Sequence, residues 1–200
     1  MAHKLGPQSH YSSNTLQMSV PGFKDIAKVE NGRNLFWTTD VNVELPIKMQ
    51  STGTASTIKP DTIPNLMRKT VKNMGSRPAM LIMRGKKEVM WTWDQYWNDS
   101  LAFAKALKKL GVEERRAVNI MGFNSPEWAI CYYGSIFHNN VVSGVYITNG
   151  PKACHYQADN SEAQVICVDT LEQLNLYMGI VDQLPLVKAV VAWGIDKIPD

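Results

Sequence analysis

From residue 117 onward, short apolar runs alternate with longer stretches of helical character, and that alternation restricts the chain to an α/β fold. It predicts strand 117–121, helix 126–138, strand 141–147, helix 151–159, strand 164–168, helix 171–183 and strand 187–193. Such an order implies parallel strands, because a helical crossover brings each strand back to the same end of the sheet. The helix starts are also legible. In Gly122-Phe123-Asn124-Ser125-Pro126-Glu127-Trp128, Ser125 can cap the unpaired amides of a helix start. Pro126 suits the first helical position because it lacks an N–H, and Glu127 complements the positive end of the dipole. Pro151 begins the next helix, and Thr170 with Gln173 gives a capping box for the third.

Residues 1–34 are rich in Ser, Asn, Gln, Gly and Lys without periodicity and are expected to form a flexible leader. Leu35-Phe36-Trp37, followed by alternation at Val41, Val43 and Leu45, suggests a short strand, and 51–57 a polar loop. Ile63, Leu66, Met67, Thr70, Val71 and Met74 recur at helical spacing, with Pro64 near the start. Segments 79–83 and 88–92 flank Arg84-Gly85-Lys86-Lys87 and read as an antiparallel hairpin. Thr92 and Gln95 form a capping box, Tyr96, Phe103, Leu107 and Leu110 share one face, and Gly111 can close that helix. The expected fold class is therefore α/β, a parallel sheet with flanking helices plus a small antiparallel hairpin. The expected division is a leader, 1–34, and a partial α/β domain, 35–200.

With 44% apolar and 20% charged residues among 200, the chain has the balance of a globular protein rather than a disordered one. Its net charge of +3 is thinly spread over helix faces such as Lys105, Lys108 and Lys109, so nucleic acid is not an expected partner. Three cysteines, Cys131, Cys154 and Cys167, do not make a disulfide framework and point to a reducing compartment. No run approaches the ~18 apolar residues that span a bilayer, and Met1-Ala2-His3-Lys4 lacks the apolar core of a signal peptide. A cytoplasmic location follows as the expectation, with any membrane attachment, as at the endoplasmic reticulum, being peripheral.

Ligands of open parallel sheets gather at the carboxyl ends of the strands. The candidate cleft-edge positions are Asn124, Ser125, Thr148 and Asn149, with Gly150, Asp169 and Thr170 along the same edge. Neither a Gly-x-Gly-x-x-Gly string nor a phosphate loop ending in Gly-Lys-Ser/Thr occurs, so Ser125 and Thr170 are read first as helix caps. Cys154 and His155 are adjacent and point apart, while Cys131 and His138 share one helix face without further ligands at zinc spacing. No Ser or Cys can be paired with a His and an orienting carboxylate. Asp94, Asp99, Glu113 and Glu114 fall where carboxylates are ordinarily solvated, and Trp91, Trp93, Tyr96 and Trp97 read as packing residues. No catalytic residue and no metal ligand is assigned.

Four stretches nevertheless carry a family resemblance. These are Phe36-Trp37-Thr38-Thr39, the aromatic-Thr start at Trp91 to Tyr96, the Gly122 to Trp128 turn, and Val145-Tyr146-Ile147-Thr148-Asn149 with Ala153-Cys154-His155-Tyr156. Together they resemble the adenylate-forming acyl-CoA synthetases, specifically the bubblegum-type long-chain fatty acyl-CoA ligases, from about residue 35 to the end. The resemblance implies the amino-terminal part of an AMP-binding ligase that joins a fatty acid to ATP as an acyl adenylate and then to coenzyme A, assisted by magnesium. It also implies that the phosphate-binding loop and the catalytic lysine lie further along than residue 200, so that none of these cofactors binds this chain tightly and the 200 residues alone are inactive. A Gly-Gly pair usual in the family is replaced by Asn139-Asn140, which is expected to alter a tight turn. The alternative from another class is a non-catalytic binding or regulatory module, associating through surface left uncovered. A nucleotide-binding domain of a different family is the third reading, weakened by the missing phosphate motif.

Overall fold

The protein is described by a computed structural model covering residues 29–30, 33–34 and 52–195. The predicted strand at 35–45 lies outside them. The chain divides at Pro60/Asp61. The first unit shows a two-residue antiparallel ladder of β1 (Val29–Glu30) with β2 (Arg33–Asn34), and a 3₁₀ turn at Thr54–Thr57.

The second unit begins with α1 (Ile63–Met74), capped by Thr62, whose side chain accepts from the Asn65 N–H. An antiparallel pair follows, β3 (Pro78–Arg84) and β4 (Lys87–Thr92), turning at Gly85 with φ +62°, a conformation glycine adopts without steric cost. α2 (Trp93–Lys109) starts in the expected capping box, with both reciprocal bonds between Thr92 and Gln95 made. It closes at Gly111, φ +72°, whose N–H reaches the Lys108 carbonyl.

The parallel sheet comprises β5 (Ala117–Met121), β6 (Val141–Val145), β7 (Ala163–Val168) and β8 (Ala189–Ala192), with spatial order β6-β5-β7-β8. Between them run α3 (Pro126–Phe137), α4 (Pro151–Asn160) and α5 (Leu171–Met178). Alternation along the strands divides the core into two layers. Val118 and Ile120 of β5, with Val165 and Cys167 of β7, meet Leu107 of α2 and Cys131 of α3. Ala117 and Met121, with Ile166 and Val168, meet Cys154 and Ala158 of α4 and Leu174 and Tyr177 of α5. Helices on both faces are why β5 and β7 are wholly buried and apolar nearly throughout. The exceptions are Gln164 of β7 and Asn119 at the centre of β5; Asn119 is fully buried, its oxygen accepting from Ser161 at 3.0 Å while its amide nitrogen has no partner among the described residues.

Several boundaries and one cap differ from the sequence reading, the strand expected at 187–193 being shorter, at Ala189–Ala192. β6 ends at Val145 because the chain turns there, with the Asn149 N–H reaching the Tyr146 carbonyl at 3.0 Å. The helix expected over 171–183 stops at Met178, where Gly179 ends it, and resumes as a 3₁₀ turn at Val181–Gln183. The capping box expected at Thr170 is half made. Thr170 Oγ1 accepts from the Gln173 N–H, but Gln173 Oε1 turns back to the N–H of Asp169.

The amino-terminal ends of the strands are fastened by polar side chains. Gln164 exchanges two 2.8 Å hydrogen bonds with Glu113, one through the Glu113 N–H and one through its carboxylate. Those bonds, together with Arg116 and Lys188 nearby, hold the Glu113 carboxyl below its ordinary value. Asn139 adopts φ +64° and donates to Glu114 at 2.9 Å, while Asn140 donates to the carbonyls of Glu113 and Arg116. Asn139 thus takes a left-handed conformation, held by its own side chain.

Candidate functional site at the carboxyl edge of the sheet

The order in which strands are added reverses around β5. The connection after β5 leads to β6 on one side, and the connection after β6 returns past β5 to β7 on the other. The crevice outside the carboxyl ends of β5 and β7 is where sheets of this kind bind ligands. Two loops meet there, Gly122–Ser125 and Asp169–Thr170.

Asp169 ties them together. Its Oδ2 accepts from the Phe123 N–H at 2.8 Å, and its own N–H is held by Gln173. Its Oδ1 is enclosed without a partner among the described residues. Gly122 is required by crowding, since a Cβ there would stand 2.9 Å from the Trp193 ring and 3.0 Å from Asp169. Gly194, at φ +68°, lies against the Asp169 carbonyl, where an added Cβ would come within 2.9 Å. Loops following β5, β7 and β8 therefore converge on one aspartate, with Trp193 as a wall.

The four cleft-edge positions separate into two places. Ser125 is the α3 cap, its Oγ accepting from the Trp128 N–H at 3.1 Å. With Asn124 and Pro126 it forms one wall of a groove of about 300 Å³, whose other wall is Met80, Leu81 and Ile82 of β3. Thr148 and Asn149 stand outside that groove, in the turn after β6. Thr148 is exposed, and Asn149 donates to Gln157 Oε1 at 2.9 Å, fixing the turn to α4. The adjoining hairpin was not foreseen as part of this edge. An ion pair from Arg84 at its tip to Glu127 in the first turn of α3 holds it there, joining residues forty-three apart in sequence. No local pattern signals such a contact.

Among the described residues no group of three or more His, Cys, Asp or Glu is placed to hold a metal ion. Cys131 and Cys167 are buried neighbours whose mutual hydrogen bond, with burial, holds the Cys167 thiol well above its ordinary value, so it stays protonated and inert. Cys154 is raised by burial as well. His138 is occupied with Asn140 Oδ1 at 2.7 Å.

The AMP-binding enzyme family model matches residues 67–198, which takes in the β3–β4 hairpin, the whole parallel sheet and the crevice. The chain belongs to the AMP-binding enzyme family. Within that family it is 35% identical over 157 residues to the long-chain-fatty-acid–CoA ligase ACSBG2 of Xenopus laevis, covering 78% of this chain and 21% of the relative. It is 32% identical over 181 residues to the long-chain-fatty-acid–CoA ligase ACSBG1 of Mus musculus, covering 90% of this chain and 25% of the relative. This AMP-binding chain thus spans about a quarter of the length of the curated relatives it matches. Among solved structures it superposes on an anthranilate CoA ligase, AuaEII, in complex with anthranoyl-AMP, with a TM-score of 0.58 and 22% identity over 65% of this chain and 24% of that one. The N-terminal domain of FACL13 from Mycobacterium tuberculosis gives 0.59 and 16% over 66% of this chain and 34% of that one. These likenesses establish the α/β fold of an acyl-CoA ligase domain.

Proposed function

We propose that the chain is the amino-terminal section of an ATP-dependent long-chain fatty acid–CoA ligase. One observation carries this reading: the Gly122 to Trp128 turn, the most specific of the family-like stretches, lies at the carboxyl end of β5 within the match to the AMP-binding family. In the proposed activity a fatty acid carboxylate displaces pyrophosphate from ATP to give an acyl adenylate. The coenzyme A thiol then displaces AMP to give the thioester. ATP, magnesium and coenzyme A are the expected cofactors of that whole enzyme.

The described residues do not fit a magnesium triphosphate by themselves. The turn has one glycine, the Ser125 oxygen is engaged by Trp128, and no metal-ligating cluster stands nearby. What they provide is a rigid edge, braced by Asp169, on which further binding groups can be placed. We therefore propose that the 200 residues alone do not catalyse adenylation. ATP–pyrophosphate exchange with a long-chain fatty acid, run on this chain and on a longer product carrying the same segment, tests both statements. Exchange by the longer product alone is expected; exchange by neither removes the ligase reading, and exchange by the short chain removes the inactivity.

The second reading, a non-catalytic module that binds a partner, draws on an apolar groove of about 300 Å³ lined by Leu174, Met178, Val181 and Val190 between α5 and β8. The buried free cysteines favour a reducing, cytoplasmic setting. No helix among the described residues is long and apolar enough to cross a membrane.

A further inference from the structure

Asparagine followed by glycine is chemically labile, because glycine presents no side chain to hinder attack of its backbone nitrogen on the asparagine side-chain carbonyl. The chain has this pair at Asn149-Gly150, in the turn that joins β6 to α4. Gly150 is exposed, and its N–H makes no hydrogen bond among the described residues. Nor does the fold require glycine there. Its φ of −80° and ψ of 174° are open to any residue, and an added Cβ would meet nothing within 4 Å. Asn149 is half-buried, its N–H bonded to the Tyr146 carbonyl at 3.0 Å. Its side chain is tied through Nδ2, which donates to Gln157 Oε1 at 2.9 Å. Gln157 in turn donates through Nε2 to the Gly144 carbonyl at 3.4 Å.

We propose that Asn149 is a site of spontaneous deamidation whose rate Gln157 sets. The Gly150 nitrogen forms a bond to Asn149 Cγ, the Cγ–Nδ2 bond breaks, and Nδ2 leaves as ammonia, taking up the proton that Gly150 loses. Water then opens the cyclic imide. Cleavage at Cγ gives aspartate, and cleavage at the main-chain carbonyl gives isoaspartate, which adds a methylene to the backbone of the turn. The free Gly150 N–H supplies the nucleophile, while the bond to Gln157 resists the rotation that brings Cγ to it. Either product places a carboxylate at the start of α4, where Gly150 offers no side-chain cap and the helix dipole favours negative charge. It also removes the donor to Gln157 Oε1, so Gln157 can bond the new carboxylate only by turning Nε2 away from Gly144. The carboxyl edge of the sheet thereby gains negative charge with time, independently of any ligase activity.

Peptide mapping by mass spectrometry, with electron-transfer fragmentation to separate aspartate from isoaspartate, tests this on the purified chain at mildly alkaline pH without ATP or coenzyme A. A synthetic peptide of residues 145–152 sets the intrinsic rate. In the folded chain Asn149 is expected to convert within roughly fivefold of that rate, the retardation that one hydrogen bond confers. Gln157→Ala should raise the rate toward that of the peptide. Gly150→Ala should suppress conversion while leaving the melting temperature near that of the parent, because its Cβ enters open space. Asn149 left intact when the peptide has fully converted, a rate indifferent to Gln157→Ala, or undiminished conversion in Gly150→Ala would each overturn the proposal.

Discussion

At the scale of the residue, the carboxyl edge is defined by side chains committed to backbone groups. Ser125→Ala should cost about 1 kcal/mol in urea unfolding, the usual value of a lost helix cap. Ser125→Asp should retain stability, since a carboxylate both caps and suits the amino-terminal dipole. If Ser125 also serves an anionic substrate in the proposed ligase, the aspartate variant will keep its stability and lose adenylation, which separates the two roles. Gly122→Ala should destabilise by about 1–3 kcal/mol, as overpacking does, because its methyl would press on Trp193 and Asp169; thermal melts measure it. Removing Trp193 as well should return part of that loss. Ser125 as a cap was visible in the sequence because the bond spans three residues. The convergence of Asp169, Trp193 and Gly194 was not, since it depends on which strands become neighbours.

At the scale of the element, the turn between α3 and β6 shows how an unusual residue pair is accommodated. Asn139→Gly trades one exposed hydrogen bond to Glu114 for an easier left-handed backbone, and should alter stability by less than about 1 kcal/mol. Asn140→Ala should cost about 1–3 kcal/mol, because it leaves the carbonyls of Glu113 and Arg116 without their side-chain donor in a part-buried place. Chemical denaturation of the two variants side by side gives the comparison. Element identity was legible here from pattern: every helix and strand expected beyond residue 60 is present, the helices from a repeat near 3.6 residues and the buried strands β5 and β7 from short continuous apolar runs. What the pattern could not carry was the break at Gly179, where the apolar spacing continues through Ile180 and Leu184 although the backbone leaves the α-helix. Nor could it carry the hairpin's attachment to α3, which includes the long-range Arg84–Glu127 ion pair.

At the scale of the whole molecule, polar fastening is concentrated at the amino-terminal end of the sheet and ligand geometry at the other. Glu113 is the centre of the fastening, and its carboxyl is held below its ordinary value chiefly by the Gln164 bond. A carboxyl so held favours the folded state while it is ionised, and that contribution is lost as the pH falls through its native value, beneath the ordinary glutamate range. Acid titration should therefore show a stability loss in that acidic window that Glu113→Gln lacks, with little difference in pH dependence near neutrality; circular dichroism melts across the range would measure it. The strand order has another outcome, in the timing of folding. All four parallel strands and their three crossovers come from one uninterrupted stretch, 117–192, so every pairing joins neighbours or next-neighbours along the chain. Short separations of this kind lower the entropy lost in closing each loop. The sheet can consequently assemble during translation, strand by strand, as its residues leave the ribosome.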